Sequence, residues 1–291
     1  IVGSTSGVRT GLAAGITVIT YTLPTGCYST KPITVNALPT AIIGASTVCI
    51  GSSVTLSTGS IGGVWSRSNT NVNIGSSSGM VTGVTSGTTV ITYTLPTGCY
   101  TTKTVTVGAS GGSITGAGAV CVSGSSMLTI TPTGSGTWSS SSPTVATIGG
   151  TTGAVSGITA GVTTISFTSV SGCVTTKTLT VNGLPAVHNV TGGGSYCAGS
   201  AGLHVGLDGS AAGLVYQLYR GTGGSAVLTM TSGGGALDFG LHTAAGTYTV
   251  TATNTTTGCA NNMSGSATIS VNPLPAPISG ATTVCAGSST T

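Results

Sequence analysis

Val, Ile, Thr and Tyr recur along this chain in short alternating runs, and Gly, Pro, Ser and Asn separate the runs. Within residues 37–108 such runs fall at 41–43, 47–50, 54–57, 64–66, 80–84, 87–94 and 104–107. Gly51-Ser52-Ser53, the Asn-rich stretch 69–73 and Leu95-Pro96-Thr97-Gly98 read as turns between them. Short β-branched segments broken about every 8–12 residues predict an antiparallel sandwich. Gly, Ser and Thr are poor residues for a helix interior, so no helix is expected. The predicted fold class is all-β.

The pattern repeats. Tyr-Thr-Leu-Pro-Thr-Gly-Cys-Tyr occurs at 21–28 and again at 93–100, a step of 72 residues, with a looser copy at 167–174. The cysteines form two interleaved series with similar steps: Cys49, Cys121, Cys197 and Cys285, and Cys27, Cys99, Cys173 and Cys259. Self-similarity at this period marks an array of small domains. The expected units are 37–108, 109–183 and a divergent 184–272. Residues 1–36 read as the back part of a repeat and 273–291 as the front part of another, as in a segment of a longer protein.

Cysteines that are never closer than 22 residues offer no metal knuckle, so structural disulfides are expected instead. Pairing inside each unit gives Cys49–Cys99, Cys121–Cys173 and Cys197–Cys259, one disulfide per domain. Cys27 and Cys285 then pair outside the segment. Trp65 lies 16 residues after Cys49 and Trp138 17 after Cys121. A Cys…Trp…Cys order predicts tandem immunoglobulin-like sandwiches with Trp65 and Trp138 in the core against an inter-sheet disulfide. Tyr216 and Tyr219 fall in the corresponding region of the third unit. Closing a loop of about 50 residues contributes roughly 4 kcal/mol in the chain-entropy model, and disulfides point to an oxidising, extracellular compartment.

Charge changes the picture most. Charged residues make up 3% of the chain, six basic and two acidic, against about 25% in ordinary domains. Basic residues this sparse make neither a nucleic-acid footprint nor a membrane-binding patch. Mean hydropathy is +0.48, yet no apolar run is long enough to span a membrane. No carboxylate side chain precedes Asp208, and only Asp238 follows it. The first two units therefore lack the parts for carboxylate catalysis or an acidic calcium loop.

His204, Asp208, Asp238 and His242 stand four apart in pairs, but the segment reads as strand and loop, where that spacing aligns nothing. Solvated loop polarity is the expectation. Gly-x-Ser-x-Gly at 75–79 and 108–112 arises by chance among 50 glycines and lacks the strand-to-helix setting of a nucleophile elbow. No enzyme, metal or cofactor is expected. Lys31, Lys103 and Lys177 each follow a cysteine by four residues. An edge-strand lysine that blocks sheet pairing explains them better than a row of ligand-binding cations.

Residues 79–93 (Gly-Met-Val-Thr-Gly-Val-Thr-Ser-Gly-Thr-Thr-Val-Ile-Thr-Tyr) and 153–167 resemble the closing motif of bacterial Ig-like group 2 repeats. Residues 245–254 with Gly258-Cys259 are similar to Ig-like repeats in giant surface proteins of gliding and predatory Bacteroidetes. The Val-Asn-x-Leu-Pro boundary at 35–39, 181–185 and 271–275 fits the same group. The resemblance implies an extracellular adhesin, stalk or filament exported by the type 9 pathway. The chain departs from many such repeats in its scarcity of acidic residues.

The function expected is a disulfide-stapled rod whose repeats set length and stiffness. A nearly uncharged surface favours association, so other copies of the chain are the expected partners, with any cell-surface or glycan ligand at a tip outside the segment. In the alternative, the repeats are themselves adhesive modules for glycan or another cell surface. The place to look for binding is then Tyr216, Tyr219, Arg220 and His242.

Overall fold

The structure, a computed structural model, describes residues 7–109, 111–279, 283 and 285–287. Every regular element among them is a strand. The first two, β1 (Gly15–Thr22) and β2 (Tyr28–Val35), form a hairpin in register from Gly15↔Val35 to Thr22↔Tyr28. Seven strands follow: β3 (Thr47–Cys49), β4 (Ser53–Thr55), β5 (Val64–Arg67), β6 (Val72–Ile74), β7 (Met80–Gly83), β8 (Gly87–Thr94) and β9 (Tyr100–Gly108). They build two facing sheets, in the orders β3-β9-β8-β5 and β4-β7-β6. All pairings are antiparallel except β3 with β9, which run parallel.

Alternation decides which side chains meet between the sheets. On β8, Thr89, Ile91 and Tyr93 are buried, and on β9 Val105 and Val107. The facing sheet and its flanks supply Leu56, Val72 and Val81. Trp65 enters from β5, directly opposite Tyr93 in the ladder, and their ring centroids lie 4.8 Å apart. The Tyr93 hydroxyl donates to the Ser60 carbonyl at 2.9 Å and accepts from the Gly63 N–H at 2.8 Å. A buried phenol is thereby satisfied at both its donor and its acceptor sites.

The second sandwich repeats this plan. Ala119–Cys121, Val174–Asn182, Gly161–Ser169 and Gly136–Ser140 form one sheet in that order, and Ser125–Met127, Ala154–Gly157 and Ala146–Ile148 the other. Trp138 packs on Phe167 at 4.9 Å. In the third, Gly194–Cys197, Ala267–Asn272, Gly246–Thr253, Val215–Arg220 and Leu228–Thr231 lie side by side. Tyr216 and Leu218 point inward there against Tyr248 and Val250. The fold is thus all-β, a series of immunoglobulin-like sandwiches.

The disulfides differ from the sequence expectation. None of the predicted bonds Cys49–Cys99, Cys121–Cys173 or Cys197–Cys259 forms. Cys49 bonds to Cys173 and Cys121 to Cys259. The reason is the parallel pairing. β3 lies along the far end of β9, with Cys49 beside Gly108. Cys99 precedes the near end of this nine-residue strand, about 30 Å away at 3.3 Å per residue. A disulfide needs Cα atoms within about 7 Å. The tryptophans accordingly rest on aromatic rings, Tyr93 and Phe167, rather than on a disulfide.

Candidate functional site

The junctions between sandwiches carry the only covalent chemistry seen among the described residues. Each is built around a hairpin tip. In Leu95-Pro96-Thr97-Gly98-Cys99 the Leu95 N–H donates to the Cys99 carbonyl and the Gly98 N–H to the Leu95 carbonyl, both at 2.9 Å. Gly98 has φ +83°, a left-handed conformation that glycine adopts without a Cβ clash. The same bonding closes Ser169–Cys173 at the tip of the second sandwich. That tip reaches back onto the first sandwich, where Cys173 and Cys49 have Cα atoms 5.8 Å apart. Gly108 makes room for it: a Cβ there would lie 2.5 Å from Ser171 Oγ and 2.8 Å from Cys173 Sγ.

The next junction repeats the arrangement. Cys121 lies beside Asn182 in the parallel ladder, and Cys259 of the third sandwich bonds to it with Cα atoms 5.7 Å apart. Cys173 and Cys259 are both buried. Each staple therefore joins the front strand of one sandwich to the hairpin tip of the next. The loops closed span 124 and 138 residues. In the chain-entropy model each contributes about 5 kcal/mol against the unfolded chain.

The polar residues of the third sandwich assemble differently from their spacing in sequence. Asp208 accepts from the Asn189 N–H at 2.9 Å and from Asn189 Nδ2 at 2.7 Å, with His188 Nδ1 at 3.7 Å. Asp238 accepts from the Gly240 N–H at 2.8 Å and sits 2.8 Å from His204 Nδ1. Hydrogen bonds from Asn189 hold the Asp208 carboxyl below its ordinary value; the Gly240 N–H, then His204, do the same for Asp238. Both carboxylates are exposed and His188 is half-buried; no serine joins either pair among the described residues, and no hydrolytic triad is assembled.

These carboxylates set an expectation for acid. A group with a depressed folded-state pKa contributes stability above its unfolded value, and that contribution disappears as pH falls below it. The window therefore opens below 3.8, the ordinary Asp value. The first two sandwiches have no carboxylate side chain. Amide exchange followed from pH 6 to pH 2 should show loosening confined to 190–272, and only slight, because both groups are exposed. Equal loosening in 47–108 would contradict this account.

The residues expected for binding do not form one site. Tyr216 is fully buried and accepts from the Ala211 N–H at 2.8 Å; it stands in the core where the other sandwiches place tryptophan. Tyr219 faces the other side of its strand and donates to Gln217 Oε1. His242 stacks on Tyr248 at 5.1 Å, its Nε2 buried without a hydrogen-bond partner. Arg220 lies opposite Tyr248 in the ladder.

Two of the three lysines also differ from a surface row, while Lys31 is exposed on β2. Lys103 and Lys177 share the inward side of their strands with Val105 and Leu179. Lys177 Nζ donates to the Gly116 carbonyl at 3.0 Å, so the stem covers the core while the ammonium reaches out.

Shallow clefts of about 300 and 450 Å3 open beside Trp65 and Trp138. Ser, Thr and Gly supply their polar lining, with no charged side chain. Among the described residues, no group of three or more His, Cys, Asp or Glu could hold a metal, and no helix is long and apolar enough to cross a membrane.

No family model matches the chain, and no curated protein matches it. Solved structures do. The C-terminal fragment of intimin, solved with the intimin-binding domain of the translocated intimin receptor, is 18% identical, with 51% of this chain and 67% of that chain covered and a TM-score of 0.36. Domains 4 and 5 of the S-layer protein SbsC are 16% identical over 50% of this chain and 99% of that chain, with a TM-score of 0.25. Murine CEACAM1b is 13% identical over 55% of this chain and 100% of that chain, with a TM-score of 0.27.

Proposed function

We propose that this chain is a structural segment of an extracellular cell-surface stalk or filament. It acts as a rod whose successive sandwiches are locked together covalently, and it performs no catalysis. The observation that carries this reading is the pairing across junctions, Cys49 with Cys173 and Cys121 with Cys259. A disulfide inside a domain protects that domain; one between domains fixes how neighbours meet. Such bonds persist in oxidising, extracellular compartments. The scarcity of charge supports packing against other copies of the chain, since weakly charged surfaces repel each other little. The group 2-like motifs support a Bacteroidetes-type appendage for adhesion, gliding or prey attachment, exported by the type 9 pathway.

Electron microscopy of native full-length material at low and high ionic strength tests the reading. Straight threads that bundle side by side, and that bend at junctions only after reduction, are the expected result. Beads that swivel freely at every junction under oxidising conditions would remove the rod. A thread that stays single and ends in a distinct knob would remove lateral assembly and keep the spacer role.

A further inference from the structure

One residue position recurs where the last strand of each repeat finishes: Gly108, Asn182 and Asn272 end theirs, and Asn36 directly follows β2. At three of them a front-series cysteine lies directly across a parallel ladder: Cys49 beside Gly108, Cys121 beside Asn182 and Cys197 beside Asn272. In each case the residue after that cysteine donates its N–H to the recurring carbonyl, Ile50 to Gly108, Val122 to Asn182 and Ala198 to Asn272. At Gly108 and Asn182 the tip cysteine of the following sandwich closes the staple.

Asn36 shows the other half of this arrangement. The tip cysteine of the following sandwich, Cys99, is already in place, its Sγ 3.8 Å from the Asn36 carbonyl. No strand runs beside β2 on that edge among the described residues; β1 and β2 form a sheet by themselves. Residues 9–14 cover only part of their inner face, beside Ile19, Ile33 and Val35. Tyr21 is 70% exposed, whereas Tyr93, its counterpart on β8, is 4% exposed. The thiol, the carbonyl and the open edge sit where two equivalent junctions hold a disulfide.

We propose that Asn36 and Cys99 form a docking site for an additional strand of this repeat type, a Thr-Val-Cys segment. It pairs parallel to the end of β2 and bonds its cysteine to Cys99. The partner is defined by chemistry already seen at Gly108 and Asn182: an extended segment, a valine directed inward, a cysteine, and an N–H on the next residue for the Asn36 carbonyl. The bond forms by exchange with a disulfide oxidant, either a small-molecule disulfide or an oxidoreductase. The two thiols give up two protons and two electrons, and the oxidant leaves reduced to thiols. The site stands independently of the rod reading.

The labelling test uses the full chain with Cys49–Cys173 and Cys121–Cys259 intact and any other disulfide opened by limited reduction, and a peptide with the sequence of residues 45–53, its cysteine held as a mixed disulfide with glutathione. Cys99 attacks the peptide sulfur, the bond to glutathione breaks, and glutathione leaves as the thiol. Cys27 is an internal control, since it sits in the same octapeptide as Cys99 and is the more exposed of the two. Mass spectrometry should find the peptide on Cys99 at least tenfold faster than on Cys27. The preference should vanish with a scrambled peptide and with one N-methylated at the residue after cysteine. Equal or faster labelling of Cys27, or indifference to scrambling, overturns the proposal. Native protein digested without reductant gives a second readout. Cys99 joined to a Thr-Val-Cys peptide supports it, and covalent dimers on a non-reducing gel then assign the strand to a second copy rather than to the same chain. Cys99 recovered as a thiol, or bonded to Cys27, overturns it.

Discussion

A protease site inserted after Ala109, cut to completion, should leave the chain a single covalent molecule until it is reduced. Ala109 is exposed and lies between the first and second sandwiches. The Cys49–Cys173 bond passes over the cut. Disulfides confined to single units would leave nothing across it, so the halves would part at once in denaturant. A non-reducing gel reads the outcome directly: one band before reductant and two after. Two bands without reductant would refute the junction staples. A second site placed in the linker around Gly183 gives an independent version, because Cys121–Cys259 spans it. Cutting one linker should leave the other staple unaffected.

Replacing Trp65 by alanine should unfold the first sandwich or bring it close to unfolding. Truncating a buried tryptophan costs about 3–5 kcal/mol, and the contact with Tyr93 goes with it. The core that must absorb this loss has ten buried residues. Net domain stability is about 5–15 kcal/mol, and a core this small belongs at the lower end. Because the staple is not internal, it does not cross-link the strands of this sandwich to one another. Hydrogen exchange should show protection lost over 47–108 and kept over 190–272. Loss spread evenly over all three sandwiches, or no loss, would count against separate cores. Lys177→Ala is the contrasting case: its carbonyl partner, Gly116, can turn to water, and little should change.

The sandwiches were legible because alternation is a local signal. Thr89, Ile91 and Tyr93 on one face of β8, with Val105 and Val107 across the ladder, can be read from residue order alone. Matched Trp65 and Trp138 placed the core strand of two repeats. The third repeat carried the same signal in another residue: in Val-Tyr-Gln-Leu-Tyr-Arg, Tyr216 and Leu218 alternate with Gln217 and Tyr219. Strict use of that period would have put Tyr216 in the core and left it out of a binding set.

The cysteine pairing was not legible in the same way. Two series with the same step are equally consistent with bonds inside a unit or to its neighbour. What separates these options is the parallel contact of β3 with β9, formed between strands far apart in sequence. Register between distant strands is set by packing, not by local pattern. The His204–Asp238 and His188–Asp208 contacts were hidden for the same reason: each crosses between elements, while the sequence displayed only the uninformative steps from 204 to 208 and from 238 to 242.

The overlap of the two staples also changes what happens under tension. A force applied at Cys49 and Cys259 would otherwise draw out the 210 residues between them, about 700 Å of unfolded chain at roughly 3.5 Å per residue. With both bonds intact, the shortest covalent route crosses from Cys49 to Cys173, returns along the chain to Cys121 and crosses again to Cys259. It contains only the 52 residues from 121 to 173, about 180 Å when taut. Even if every sheet gave way, this part of the chain would stop lengthening at about a quarter of its contour. The interlocking of neighbours turns a string of independently unfolding domains into a tether with a fixed limit of stretch.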